Sequence, residues 1–171
     1  EGTGVLAAGR HEARALRLAS RVDLVLEAGA LLVACSDYAG LVGNTVSVLA
    51  EASDRAFLLA CGVSDCGIFG PGTIDGGGPA WSLGFDAEIG TLVPAALRPR
   101  VLVVEDAQRV TLSGFHITQS PMWTVHLIGS REVVVEQLRI GNDNRLPNTD
   151  GIVIDSCSDV SVSDCVIHTA D

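Results

Sequence analysis

A repeat in the second half of the chain constrains the fold more than any other feature of the sequence. Three segments align without gaps, namely VVEDAQRVTLSGFHIT (103–118), HLIGSREVVVEQLRIG (126–141) and VIDSCSDVSVSDCVIHT (153–169). Val110, Val133 and Val160 fall in register at intervals of 23 and 27 residues. Each unit holds short β-branched stretches between turn residues and is too short for a strand–helix unit. Because such units bury an apolar face only by stacking, the repeat predicts an all-β, single-stranded parallel β-helix.

The first half of the chain fits the same scheme with longer excursions between strands. RVDLVLEAGALL (21–32) and SDCGIFGPGTIDG (64–76) look like two earlier coils, with equivalent positions 44 residues apart. Gaps of that size predict loops or extra strands around 35–55 and 76–98. The chain has no linker, so a single β-helix domain is expected over residues 1–171.

Composition and charge argue against nucleic-acid binding and against membrane association. The chain has a net charge of −10, and its eleven basic residues are all arginines. A nucleic-acid-binding surface needs clustered cations, so nucleic acid is not expected as a partner. No apolar run approaches the roughly 20 residues that span a bilayer, so no membrane association is predicted. No signal peptide is visible in the chain.

The five cysteines lack the spacing of a metal site. Cys61 and Cys66 are five residues apart, and Cys157 and Cys165 are eight apart, so neither pair is a CxxC motif. In the register of the repeat, Cys66 falls on the valine column and Cys165 falls on an apolar column. Core packing is therefore favoured over disulfides, and no metal or cofactor is predicted.

Four motifs in chain order carry a resemblance to a known family. They are LEAGALLVACSDYAG (26–40), IFGPGTIDGGGPAW (68–81), SPMWTVH (120–126) and PNTDGIVIDSCSDVSVSDCVIHTAD (147–171). Together they resemble the polygalacturonase family, the pectin-degrading glycoside hydrolases built on a right-handed parallel β-helix. The first three motifs are weak alone, but the ordered set with the Asn-Thr-Asp motif is specific. The resemblance implies a pectic polysaccharide or oligosaccharide as substrate.

Asp150 and Asp171 are the candidate catalytic residues. They are 21 residues apart, about one coil, so they can lie on neighbouring rungs, which are about 4.8 Å apart in a sheet. Hydrolysis of a glycosidic bond needs one carboxyl group that protonates the leaving oxygen and another that activates a nucleophile. Close carboxylates shift one another's pKa values apart, which keeps one protonated.

The roles of the two carboxylates follow from the resemblance. It implies that Asp171 is the general acid and that Asp150, with a second aspartate after Asp171, activates water with inversion. Carboxyl groups about 5 Å apart suggest retention by the general geometric rule, so inversion is implied by the resemblance alone.

Three further residues are predicted to contact the substrate. Asn148 belongs to the motif that the family places at the cleft, with a turn-forming role as the alternative. Trp123 and Asp150 each lie ten residues before a valine of the repeat, so Trp123 is expected one rung below Asp150. It would be a platform for a sugar ring or would pack beneath a loop. His126 is expected on the outward side of its strand, as a substrate ligand or as an ordinary surface histidine.

Some motifs of the family are absent from this chain. The chain stops before the second aspartate of the family's Asp-Asp pair, and the later Gly-His-Gly and Arg-x-Lys motifs are absent. We therefore expect a fragment, incomplete at both ends of the solenoid and inactive alone. The full-length protein is expected to be secreted or periplasmic.

Three alternatives stay open at this point. A pectate-lyase-like β-helix would need an acidic calcium cluster, and Asp143, Asp150 and Asp155 do not group convincingly. A structural or adhesive solenoid would need no carboxylates on neighbouring rungs. A hydrolase fold that has lost its catalysis is the third.

Overall fold

A computed structural model describes all 171 residues of the chain as short strands with two 3-10 helices. The strands are β1 (Gly2–Leu6), β2 (Gly9–Ala13), β3 (Leu16–Arg17), β4 (Val22–Leu26), β5 (Ala30–Ala34), β6 (Thr45–Ala50), β7 (Ser53–Cys61), β8 (Ser64–Phe69), β9 (Thr73–Asp75), β10 (Ser82–Asp86), β11 (Thr91–Pro94), β12 (Arg100–Glu105), β13 (Gln108–Ser113), β14 (His116–Thr118), β15 (Val125–Ile128), β16 (Arg131–Glu136), β17 (Arg139–Gly141), β18 (Ile152–Asp155), β19 (Ser158–Ser163) and β20 (Val166–His168). The 3-10 helices are Ala39–Leu41 and Gly78–Trp81. None of the helices is both long and apolar enough to cross a bilayer.

Three parallel sheets run along the molecule, and each complete coil gives one strand to each sheet. The first sheet has the order β1-β4-β8-β13-β16-β19, and the second has the order β2-β5-β9-β14-β17-β20. The third has the order β3-β7-β12-β15-β18, with β6 attached to β7. Val110 pairs with Val133, and Val133 pairs with Val160, as the repeat predicts. The predicted parallel β-helix is confirmed.

The excursions in the first half lie where the spacing predicted them. The connection from β5 to β7 contains a 3-10 helix and β6, and the connection from β9 to β12 contains the antiparallel hairpin β10–β11. One coil at the start of the chain was not predicted from the sequence. In this coil, β1 and β2 pair in parallel with β4 and β5. Its strands, GTGVL and GRHEA, contain glycines and polar or charged residues at positions that are apolar in the later coils, so they lack the apolar alternation that marks those coils.

The core is a stack of apolar columns inside the three sheets. It contains 24 buried residues, including Val110 and Val133 with no exposed surface. Cys66 is buried and pairs with Val110, while Cys165 packs against the core from the last coil. All five cysteines are free thiols. Cys66 and Cys165 thus take the positions that the repeat predicted.

One corner of the coil depends on glycine. Gly70, which follows β8, has φ +100°, and a Cβ there would lie 2.3 Å from the carbonyl oxygen of Leu26. The equivalent corners of later coils accommodate Gln137 and Asp164 at φ 55° and 53°. The glycine is therefore required by the close approach of the neighbouring coil as well as by the turn.

A second apolar layer covers the outward face of the third sheet. β6 runs antiparallel to the start of β7. Its Val46 is buried in a cluster with Leu59, Val103 and Ile128, whose side chains point away from the solenoid interior. This outer layer matters for function, because the candidate site residues lie at the same face.

Candidate active site

Asp150 and Trp123 lie on neighbouring coils, each two residues before a strand of the third sheet. Val125 of β15 pairs with Ile152 of β18, and the amide of Thr124 donates to the carbonyl of Asp150 at 2.8 Å. This register places Trp123 directly below Asp150, as its spacing predicted. Both side chains are partly exposed.

Asp171 lies against the same stretch of chain. Its Oδ2 accepts a hydrogen bond from the backbone amide of Asn148 at 2.6 Å. The amide of Ala170 donates to Thr149 Oγ1 at 3.4 Å. The structure therefore brings Asp150, Asp171 and Asn148 together, with the Asp171 carboxylate beside Asn148.

Asp150 is electrostatically perturbed. Partial burial is the main cause that raises the pKa of its carboxyl group, and the negative charges of Asp171 and Glu51 raise it further. A backbone hydrogen bond opposes the shift. Asp150 therefore stays protonated to a higher pH than an unperturbed aspartate does.

Glu51 is a site residue that the sequence did not reveal. It lies in the tight turn between β6 and β7 with φ 52°, and its Oε1 accepts a hydrogen bond from Asn148 Nδ2 at 3.4 Å. The two residues are 97 positions apart in the sequence. No local pattern could have found the contact, because the long excursion before β7 creates it.

Two buried arginines that contact Asn148 and His126 were also missed. Arg98 and Arg100 are 3% and 0% exposed, although arginine is rarely buried in proteins. Arg98 donates to the carbonyls of Pro121 and Pro147 and to Asn148 Oδ1. Arg100 donates to the carbonyls of Val48 and Ser53. Hydrogen bonds to backbone carbonyls thus replace the water that both guanidinium groups lose.

His126 lies on the outward side of β15, as expected, but the expectation of an exposed histidine was wrong. It is 0% exposed, because the ring packs edge-on to Trp123 at 4.9 Å between centroids and contacts Arg100. Its Nδ1 lies 3.3 Å from Arg100 Nη1, and since arginine only donates, Nδ1 accepts and the proton lies on Nε2. Burial first, and the charge of Arg100 second, lower the pKa of His126 to about 4. His126 is therefore a neutral support beneath Trp123.

A buried amide joins the connections that carry these residues. Asn142 Nδ2 donates to Thr124 Oγ1 at 2.9 Å and to the carbonyl of Thr149 at 3.2 Å. Its Oδ1 accepts from the amide of Ser120 at 2.9 Å. Asn142 follows β17 within a polar stretch that reads as a loop, so its structural role had no visible signal in the sequence.

The arrangement presents two interacting carboxylates above a half-buried indole ring on an open face. None of the five cavities of the structure is lined by Asp150, Asp171 or Trp123. No group of three or more His, Cys, Asp and Glu side chains is placed to hold a metal ion. Chemically, the site can exchange protons with a ligand that lies along the surface and stacks on an aromatic face.

Comparison with known proteins relates the chain to one family. The family model described as Glycosyl hydrolases family 28 matches residues 39–171. A "Probable polygalacturonase" of Vitis vinifera is 35% identical over 100 residues, covering 58% of this chain and 20% of that protein. An "Endo-polygalacturonase" of Pectobacterium carotovorum is 26% identical over 170 residues, covering 91% of this chain and 42% of that protein. The chain thus spans between a fifth and about two fifths of these relatives.

Solved structures share the fold. The family 28 exopolygalacturonase of Yersinia enterocolitica superposes with a TM-score of 0.82 at 19% identity, covering 99% of this chain and 38% of that one. The polygalacturonase of Erwinia carotovora superposes with a TM-score of 0.80 at 24% identity, covering 99% and 49%.

Proposed function

The chain belongs to glycosyl hydrolase family 28, and from this premise we propose that it carries part of the active site of an enzyme that hydrolyses α-glycosidic bonds in pectic polysaccharides or oligosaccharides. The observation that carries the proposal is the pairing of Asp150 and Asp171 on neighbouring coils, where their charges interact. No cofactor is required by acid–base hydrolysis with two carboxyl groups.

In the proposed mechanism, Asp171 protonates the glycosidic oxygen as the bond to the anomeric carbon breaks. Asp150, together with the aspartate that would follow Asp171, removes a proton from the attacking water, and the anomeric carbon is inverted. The amide of Asn148 holds the Asp171 carboxylate by its 2.6 Å hydrogen bond. The raised pKa of Asp150 means that its action as a base begins above the ordinary range of an aspartate.

The other predicted residues take supporting roles. Trp123 offers its exposed face to a sugar ring, one rung below Asp150. His126 has no accessible surface, so it contributes to binding through the position of Trp123 and not by contact with the substrate. Asn148 is the bridge between Asp171 and Glu51.

The relatives are longer than this chain, so the activity is proposed for the protein with the coils that follow Asp171. The 171 residues alone are proposed to be inactive, because the second aspartate of the pair and the later motifs are needed to complete the reaction. The complete protein is proposed to be secreted or periplasmic, where pectic polymers are encountered.

Reducing-sugar release from polygalacturonate by the full-length gene product, with its intact mass measured first, tests the proposal. Asp150→Asn and Asp171→Asn should each lower kcat by at least about 10³-fold, as loss of an essential acid or base does. Asp164→Asn, at an exposed corner between the first and second sheets, is the matched control and should keep full activity. Equal activity of all variants, or no release by the parent protein, would refute the proposal.

The pH profile of kcat/KM tests the assignment of roles. If Asp150 is the base, activity rises with pH as Asp150 ionises, and this limb lies above the usual range of an aspartate because its pKa is raised. If Asp150 were the acid, its ionisation would instead end the activity. The anomer of the first product, followed by proton NMR, separates inversion from retention.

A further inference from the structure

Arg98 is a buried charge, 3% exposed, next to the residues of the candidate site. Its side chain donates to the carbonyl of Pro121 at 2.9 Å, to the carbonyl of Pro147 at 2.8 Å and to Asn148 Oδ1 at 2.8 Å. No carboxylate lies within ion-pair distance of its guanidinium group. A buried guanidinium group that donates hydrogen bonds to three separate acceptors fixes the positions of those acceptors.

The three acceptors belong to the two connections that form the site. Pro121 lies two residues before Trp123, and Pro147 and Asn148 lie just before Asp150. The backbone amide of Arg98 is itself held by Ser53 Oγ at 2.9 Å. Arg98 therefore ties the platform connection and the catalytic connection to the start of β7.

The contact with Asn148 has a direct consequence for Asp171. Asn148 has φ 60°, a left-handed conformation that needs support in a non-glycine residue. In this conformation its backbone amide points at Asp171 Oδ2, 2.6 Å away. The side chain that Arg98 holds and the amide that holds Asp171 belong to one residue, so a displaced side chain would turn the amide.

We propose that Arg98 is a positioning residue that acts through Asn148 to orient the carboxylate of Asp171. Its effect on catalysis rests on the function proposed above, whereas its effect on the Asn148 amide does not. Arg98 touches neither Asp171 nor the open face, so it is not a catalytic residue.

The amide proton of Asn148 gives a readout that is independent of activity. In the 171-residue chain, this proton should resonate downfield and exchange slowly, because it is bonded to a carboxylate. Arg98→Met should move the resonance upfield and increase its exchange rate at least about tenfold, since the left-handed turn loses its support. Arg109→Met removes an exposed arginine that pairs with Asp65 on the first sheet, and it should leave the Asn148 amide unchanged.

Kinetics of the full-length protein test the catalytic consequence. Arg98→Met should lower kcat by about 10²-fold, the usual cost of a misplaced catalytic group, with KM changed less than about threefold. In a double-mutant cycle with Asn148→Ala, which removes the Oδ1 acceptor, the two losses should not add, because both act on the same amide. Arg98→Lys should recover only part of the loss, since an ammonium group cannot reach three separated acceptors.

The outcomes separate the two proposals. An unchanged Asn148 amide in Arg98→Met, or fully additive losses in the cycle, would overturn the positioning role. A shifted amide in a protein that releases no sugar would uphold the link from Arg98 to Asn148 and refute the proposed function. If Arg98→Met does not fold, Asn148→Ala tests the same link, because alanine removes the Oδ1 that Arg98 holds and still needs support at φ 60°. Its amide, free of the side chain that Arg98 holds, should show the same upfield shift, and an unshifted amide would overturn the proposal.

Discussion

Leu127 and His126 are neighbours on β15, both are 0% exposed, and they are buried by different means. Leu127 points into the solenoid, where it pairs in register with Val104 and Ile154 of the adjacent coils. His126 points outward and is covered by Trp123 and Arg100. The inner face is thus buried by the repeat itself, whereas the outer face is buried by connections that cross it.

The two faces also differ in how well their polar groups are satisfied. The inner column of Val104, Leu127 and Ile154 contains no polar side-chain atom. The outer face contains buried atoms without hydrogen-bond partners, including His126 Nε2 and Arg100 Nε. An unsatisfied buried polar atom costs free energy, and natural proteins accept such costs mainly at functional sites. The comparison indicates that stability is concentrated inside the coil and that the candidate site is built on its less stable face.

Truncation of the inner residue should have the largest effect. Leu127→Ala removes a fully buried side chain from the column and should lower the free energy of unfolding by about 3–4 kcal/mol, from lost burial and the remaining cavity. Urea denaturation with an unchanged m-value measures it. Leu83→Ala, at a leucine that is 74% exposed on the hairpin, is the control and should change stability by less than about 0.5 kcal/mol. Equal losses of unfolding free energy in the two variants would contradict the conclusion that stability is concentrated inside the coil.

His126, the outward-facing residue, should make the free energy of unfolding depend on pH. The pKa of His126 is about 4 in the folded protein, below the 6.5 of an unperturbed histidine, so the unfolded state binds the extra proton first as pH falls. Stability should therefore decline by up to about 3 kcal/mol between pH 6.5 and 4, without further loss from this group at lower pH. His126→Asn should remove this component of the unfolding free energy. His116→Asn, at an exposed position of β14, should retain it, and a retained decline in His126→Asn would contradict the assignment.

The buried guanidinium next to His126 should have the smallest of the three effects. Arg100→Met leaves the carbonyls of Val48 and Ser53 and the His126 Nδ1 without a donor, at a cost of about 2 kcal/mol. The cost is limited because the substitution also removes a buried charge. The decline with pH should become shallower, because the charge of Arg100 helps to lower the pKa of His126. Arg109→Met, which removes an exposed arginine, should produce no resolvable change in stability.

The stacking of coils and the placement of Trp123 below Asp150 could be predicted because both depend on a repeat within a few tens of residues. A parallel sheet with one strand per coil converts sequence spacing into spatial register. The first coil escaped prediction because β1 and β2 carry little apolar alternation.

The sequence by itself determined the solenoid, its apolar columns and the pair of connections that carry Asp150 and Asp171, because the strand period and the coil length are local quantities. The tertiary structure alone decided the burial of His126, the approach of Glu51 and the enclosure of Arg98. These depend on where the two long excursions, through β6 and through the β10–β11 hairpin, fold back onto the coils. Contacts between residues as much as 97 positions apart leave no periodic trace in the chain.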